Sequence, residues 1–301
     1  MMSQQWIARL REALPQITVR ENEPMSGHVS FRLGGPAAAM AFPSDAGQVA
    51  SLLEFCGSEG LKPLILGAGT NVLPPDEGLN TLVICLLGGL TELRRLDGNR
   101  IEAGAGVTMA RAAVFACEQG LTGLEFAHGI PGSVGGGIYM NAGAYGGEMC
   151  QVAVETTVLR NGEVRTVSGV DQGFAYRTST FQQCGDVILK TVFQLTPDQS
   201  DAVRQRMSEL AARRRASQPL NLPSAGSTFK RPEGGYAAAL IDGAGLKGLR
   251  VGGASVSEKH AGFVVNDGGA TCADVLALIA EIQKRVYDHS GIRLEPEVRI
   301  L

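Results

Sequence analysis

Pro63-Leu64-Ile65-Leu66-Gly67-Ala68-Gly69-Thr70-Asn71-Val72-Leu73 runs a short apolar strand directly into a glycine loop. An apolar run this short, bounded by proline and glycine, reads as a buried strand. The two glycines leave successive backbone N–H groups clear of Cβ atoms, so the loop can wrap an anion such as a pyrophosphate. A second cluster, Gly129-Ile130-Pro131-Gly132-Ser133-Val134-Gly135-Gly136-Gly137, leads into Asn141-Ala142-Gly143-Ala144-Tyr145-Gly146. It holds more glycine than a tight turn requires. Either cluster alone reads equally well as a structural turn. Together they favour a dinucleotide lying along glycine-rich backbone.

Outward from these clusters the chain alternates strands and helices without strict βαβ order, which predicts an α+β fold. An amphipathic helix is expected over 3–14, with Trp6, Ile7, Leu10 and Leu14 on one face. Strands are expected at 37–42, 101–103, 152–159, 163–167, 187–194, 227–230 and 262–265, with Asn161-Gly162 as a hairpin turn. Ser44 or Asp45 caps a helix carrying Val49, Leu52, Leu53 and Cys56, and Thr108 caps another running to Gln119. A long helix is expected over 197–217, with Pro197 in its first turn, and a further one over 272–289. A domain boundary is expected inside the long helix. Gly243-Ala244-Gly245-Leu246-Lys247-Gly248 matches GxGxxG, but helix precedes it and extended chain follows, the reverse of a Rossmann site. It reads as a turn.

Composition narrows the function. Forty of 301 residues are glycine, nearly double the usual share of about 7%. The net charge is −3, and the one dense basic run, Arg213-Arg214-Arg215, reads as a solvated helix face rather than a nucleic-acid contact. The opening residues lack a signal-peptide pattern, and no apolar run reaches the ~18 residues of a membrane helix. A cytoplasmic protein is expected. The six cysteines are scattered without CxxC or paired histidine, so free thiols and no metal are expected.

Further motifs point in one direction. They are Ser30-Phe31-Arg32-Leu33-Gly34-Gly35-Pro36-Ala37, the two glycine clusters, Tyr176-Arg177-Thr178-Ser179 and Ser224-Ala225-Gly226-Ser227-Thr228-Phe229-Lys230. The stretch 240–253, Lys259-His260-Ala261-Gly262-Phe263 and Leu294-Glu295-Pro296-Glu297-Val298-Arg299 complete the set. In this order, over about residues 28–301, the chain resembles the UDP-N-acetylenolpyruvoylglucosamine reductase family. The short link from Gly173 to Thr191 is similar to its shorter-form subgroup.

The resemblance implies an N-terminal helix and lead-in over 1–29. A two-part FAD-binding region of the vanillyl-alcohol-oxidase type follows over 30–200, divided at about 86. An α/β substrate-binding domain over 201–301 would bring Glu297 back to the flavin site on its last strand. It implies noncovalent FAD and NADPH as co-substrate. The implied substrate is a sugar nucleotide whose enolpyruvyl ether becomes the lactyl ether of UDP-N-acetylmuramate, for peptidoglycan synthesis. No nucleic acid, membrane or obligate protein partner is implied. FAD would lie on Gly67, Ala68, Gly69, Thr70, Asn71, Val72 and Leu73, and on Gly129, Ile130, Pro131, Gly132, Ser133, Gly135, Gly136, Gly143, Ala144 and Tyr145.

Arg177, Ser227 and Glu297 stand at the family's catalytic positions. The chemistry fits: adding hydride to a double bond conjugated with a carboxylate builds charge there, and the neighbouring carbon needs a proton. Arg177 can grip a carboxylate with two prongs, Glu297 can polarise it if burial keeps it at least partly protonated or hydrogen-bonded, and Ser227 can donate the proton. Lys230, Arg231, Lys247 and His260 are implied substrate contacts, with lysine suited to a diphosphate. At Arg231 the chain departs from many members, which carry asparagine. Outside the resemblance, Arg177 and Glu297 read as surface charges and Ser227 as a turn residue. Two other functions remain open at this point: an oxidase on the same scaffold, with His128 as a covalent flavin attachment, and a non-catalytic flavin or sugar-nucleotide binding module.

Overall fold

The structure is a computed structural model that describes residues 5–301. The expected N-terminal helix spans Gln5–Ala13 and buries Trp6, Ile7 and Leu10; residues 3 and 4 of that expectation lie outside the described residues. The chain forms two compact units, neither of them a single span. One comprises Met1–Glu21, Ala38–Ala68 and Thr81–Arg213; the other comprises Asn22–Ala37, Gly69–Asn80 and Arg214–Leu301. The chain therefore changes unit inside the first glycine loop, after Ala68, and again inside the long helix, after Arg213.

The first unit is organised by a five-stranded antiparallel sheet in the order Glu163–Ser168, Ala153–Arg160, Val187–Gln194, Arg100–Gly104, Leu93–Leu96. Val187–Gln194, the middle strand, is buried along nearly all its length, and Phe193 joins Val158 and Ile101 in a core with Leu82, Ile84 and Val134. Asn161 (φ +51°) and Gly162 (φ +81°) make the hairpin turn, both central residues lying left-handed as a two-residue hairpin favours. Leu64–Leu66 pairs in parallel with Leu79–Cys85 within a four-stranded sheet. Asp45 caps Ala46–Ser58 by accepting from the Gln48 N–H, and Thr108 caps Met109–Glu118 through the Arg111 N–H.

Two expected elements differ. Pro197 does not open the long helix: Thr196–Pro197 pairs as a strand with Leu121–Thr122, and the helix spans Ser200–Ser217. Proline suits an extended edge as well as a first turn. The Asp198 carboxylate takes the Gln199 N–H ahead of the helix (2.7 Å). Residues 227–230 form no strand but an extended segment with a single bridge, Phe229 to Pro296.

In the second unit, Arg250–Val251, Ala254–Val256 and Val264–Asn266 form an antiparallel sheet. The helix Cys272–Ser290, capped by Thr271, buries Val275, Leu278, Ile279, Ile282 and Val286. The GxGxxG stretch follows the helix Ala237–Gly243 and precedes a strand, as a turn. Arg299–Ile300 pairs in parallel with Val72–Leu73, joining the end of the chain to the residues after the first glycine loop. All six cysteines are free thiols. Among the described residues no helix is long and apolar enough to cross a membrane, and no group of three His, Cys, Asp or Glu side chains could hold a metal ion.

Candidate active site

In the first unit the second glycine cluster begins where Glu125 fixes the backbone. This buried carboxylate accepts from the Thr122 hydroxyl (2.6 Å), the Gly123 N–H (2.7 Å) and Arg206 (3.0 Å). Burial alone would raise its pKa, but these donors outweigh burial and hold it below the usual carboxylate range. A depressed folded-state pKa adds stability above the unfolded value and forfeits it as pH falls through the folded one. The thermal midpoint is therefore expected to fall on acidification below about pH 4.5, and Glu125→Gln to flatten that fall. An acid limb unchanged in the glutamine variant would remove Glu125 as its source.

Ser133 caps the short helix Val134–Tyr139 through the Gly136 N–H (3.3 Å), and Gly67 lies against the same hydroxyl. A Cβ at Gly67 would stand 2.4 Å from Ser133 Oγ, and one at Gly135 would stand 2.9 Å from the Ala105 methyl. In the second unit, Gly69 has φ +62° and its Cβ would stand 2.0 Å from the His28 carbonyl oxygen. These three glycines are thus required by contact with protein, not by a ligand's approach path alone.

A dinucleotide phosphate still fits the donor set. Among the described residues of the first unit, the backbone N–H groups of Gly67 and Ala68 donate no hydrogen bond, nor do those of Gly129, Gly132 and Ser133. Backbone donors left unpaired in glycine loops are what the oxygens of a pyrophosphate would accept. FAD, the implied cofactor, fits these residues.

Arg177 also belongs to the first unit. Ala175 and Thr178 exchange backbone hydrogen bonds (3.1 and 3.2 Å) around Tyr176 and Arg177, and Arg177 has φ +56°. Its guanidinium donates to the Gly143 carbonyl (3.3 Å) and lies 5.3 Å from the centre of the Tyr176 ring. Gly143 and Ala144 form a two-residue strand, followed by the exposed Tyr145 at φ +54°.

The second unit gathers the other site residues. The Glu297 N–H donates to the Thr228 carbonyl (2.8 Å), placing Glu297 beside the segment that carries Ser227. Thr228 is buried; its N–H donates to Gly262 (2.8 Å) and its hydroxyl accepts from the Val264 N–H (3.0 Å). Ser227 is exposed. Asn71 donates its side-chain amide to the Glu297 carbonyl (3.2 Å) and accepts the Arg299 N–H at its own carbonyl (3.0 Å). The structure thus brings Ser227, Glu297 and residues 71–73 into one neighbourhood.

His260 packs edge-on against Phe263, with ring centres 4.9 Å apart. Burial, and to a smaller degree the charge of Lys247, pushes its pKa below the ordinary histidine value, so the ring is neutral at pH 7. Lys247 pairs with Asp242 (2.8 Å), Lys230 with Glu295, and Arg231 stacks over Tyr236 at 4.5 Å. Thr228 and Asn141, which anchor these segments, had no distinguishing signal in the sequence.

Residues 37–168 match the FAD binding domain family, and residues 218–301 match the family described as UDP-N-acetylenolpyruvoylglucosamine reductase, C-terminal domain. The chain is an FAD-dependent oxidoreductase of α+β class, with a two-part FAD-binding region of the vanillyl-alcohol-oxidase type followed by a second domain. A UDP-N-acetylenolpyruvoylglucosamine reductase of Agathobacter rectalis is 45% identical, covering 100% of this chain and 99% of its own length. One from Levilactobacillus brevis is 44% identical, over 98% and 97%. The crystal structure of the UDP-N-acetylenolpyruvylglucosamine reductase of Thermus caldophilus aligns with TM-score 0.80 at 32% identity, covering 94% of this chain and 98% of that one. The chain belongs to the UDP-N-acetylenolpyruvoylglucosamine reductase family.

Proposed function

We propose that the chain uses NADPH to reduce the enolpyruvyl group of UDP-N-acetylglucosamine enolpyruvate, giving UDP-N-acetylmuramate for peptidoglycan synthesis in the cytoplasm. The observation that carries this reading is the junction in which residues 297–300 meet both the Thr228 carbonyl and the segment 71–73. It supports a proton-donating hydroxyl and a carboxyl group beside the loop expected to hold the cofactor. In functional terms, 30–200 serves the flavin and 201–301 the substrate.

The two glycine loops would hold FAD noncovalently, and FAD would supply the hydride. Arg177 holds the substrate carboxylate in a two-pronged grip, and its charge offsets the negative charge that develops there. Glu297, acting as the neutral acid, donates a hydrogen bond to the same group. Ser227 delivers the proton to the carbon next to the carboxylate, its exposed hydroxyl being free of structural duties. Lys230, Arg231, Lys247 and His260 receive the sugar nucleotide. Lys247 must leave Asp242 to meet the diphosphate. Lys247→Ala is then expected to raise the KM for the sugar nucleotide by roughly 10- to 100-fold, the equivalent of ~1.5–3 kcal/mol for a charge-assisted contact, with a smaller fall in kcat. An unchanged KM with normal flavin content would return Lys247 to a turn residue.

The test of the reading is anaerobic. NADPH should bleach the yellow protein, and the enolpyruvyl sugar nucleotide should restore the colour with one lactyl product formed per flavin. Acid precipitation should leave the yellow in the supernatant. Bleaching without restoration would mean a different oxidoreductase on this scaffold, and no bleaching at all a binding module.

A further inference from the structure

Arg177 occupies a backbone conformation that its own residue type disfavours. At φ +56°, as the second central residue of a two-residue turn, it sits where glycine or asparagine is ordinarily found. An outlier of this kind persists only where its surroundings hold it. Here the surroundings can be named. The Gln182 side-chain amide donates to two carbonyl oxygens at once, that of Arg177 (3.1 Å) and that of Tyr139 (2.8 Å). On the other side of the turn, Asn141, 1% exposed, donates to the Ala175 carbonyl (3.0 Å) and accepts the Cys150 N–H (2.9 Å). Ser179 also donates to Tyr139 O (2.8 Å), a bond that bypasses Arg177.

We propose that Gln182 is a positioning residue for the reaction: by tying the Arg177 carbonyl to that of Tyr139, it fixes the direction in which the Arg177 guanidinium leaves the turn. The inference rests on the role proposed above for Arg177. A turn with no Cβ-compatible preference for this conformation relaxes when its carbonyl is released. The guanidinium then swings off Gly143 and meets the carboxylate at the wrong angle. A two-pronged grip tolerates little misalignment, and a displacement of about 1 Å at a reacting group can cost on the order of 100-fold in rate.

The experiment compares Gln182→Met, which keeps length and loses both donors, with Ser179→Ala, which removes only the neighbouring bond to Tyr139. Flavin content, thermal midpoint, NADPH bleaching and colour restoration by the enolpyruvyl sugar nucleotide are measured on the flavin-loaded protein. Gln182→Met is expected to keep its flavin and its bleaching rate, and to restore colour roughly 10- to 100-fold more slowly. Ser179→Ala is expected to lose thermal stability without that selective slowing. Within an Arg177→Ala background, Gln182→Met should add little further slowing, because the group it positions is gone. Should the methionine variant fail to accumulate, Gln182→Asn, too short to span both carbonyls, should show the same selective loss.

Equal slowing of bleaching and restoration, or full additivity with Arg177→Ala, would overturn the proposal. So would restoration within a few-fold of the parent. If Arg177→Ala itself restores colour at nearly the parental rate, the role of Arg177 fails and the proposal falls with it. A slow Arg177→Ala beside a normal Gln182→Met rejects the positioning role alone.

Discussion

Ser227→Ala is expected to bleach with NADPH at close to the parental rate and to regain its colour from the enolpyruvyl substrate ~10²–10⁴-fold more slowly, the usual penalty for losing a general acid. The selectivity follows from what the hydroxyl does not do. Among the described residues it makes no hydrogen bond, while the architecture of its segment is carried by its neighbours. Thr228 holds Gly262 and Val264, and its carbonyl takes the Glu297 N–H. Removing an exposed hydroxyl with no structural partner should change stability by no more than about 0.5 kcal/mol. Ser227→Cys should recover part of the rate, since a thiol also donates a proton. Stopped-flow absorbance in the flavin band measures both half-reactions on one sample. Restoration in the alanine variant within a few-fold of the parent would sink the assignment, and equal slowing of both phases would make Ser227 a general element of site architecture.

The other large effect belongs to Gly69. Gly69→Val meets two independent obstacles: φ is +62°, and the new Cβ stands 2.0 Å from the His28 carbonyl oxygen and 3.0 Å from the Val29 Cα. Strained backbone costs roughly 1–3 kcal/mol and overpacking another 1–3, with a β-branched side chain at the unfavourable end of both. The opposing atoms are backbone, so no rotamer change relieves them. We expect colourless, poorly folded protein. Gly146→Ala is the matched control, since φ is +87° but no atom lies within 4 Å of its Cβ position. It carries the conformational penalty alone and should stay yellow. A yellow, stable Gly69→Val would show that the loop has room the structure denies it.

Much of the fold was legible because period and punctuation agree with the structure. Val187–Gln194 and Cys272–Ser290 emerge from pattern almost residue for residue, and Asn161-Gly162 from turn chemistry. The misreadings at Pro197 and at 227–230 share a cause, because both segments take their form from distant partners, Leu121–Thr122 and Pro296. The boundary expected inside the long helix has a counterpart after Arg213, but the assignment of 22–37 and 69–80 to the second unit was illegible for the same reason. Nothing local at Gly69 announces that it belongs with residue 299 rather than with residue 66. At the candidate site, it was the resemblance of whole motifs, not residue type alone, that pointed to Arg177, Ser227 and Glu297. Their supports were not visible, because Gln182 and Asn141 act through side-chain amides whose targets only the folded chain brings within reach. The reason for the glycines also shifted. A path for a ligand is the first use such glycines suggest, whereas Gly67 and Gly69 make room for Ser133 and His28.

The parallel pairing of Val72–Leu73 with Arg299–Ile300 has a consequence for biosynthesis. A ribosome delivers the chain from its N-terminal end at about 5–20 residues per second. Val72 thus emerges many seconds before the strand that will lie beside it. Throughout that interval the segment 69–80 exposes an unpaired backbone edge, the kind that invites wrong partners. The glycine loop cannot acquire its final support from the Asn71–Glu297 and Asn71–Arg299 bonds until the last residues are free of the exit tunnel. A nascent chain stalled after Gln194 has emerged but before residue 297 can fold its five-stranded sheet yet lacks this closing stitch. Chaperone demand and the timing of cofactor capture in the cell should follow the arrival of residues 297–300, not the emergence of the loop.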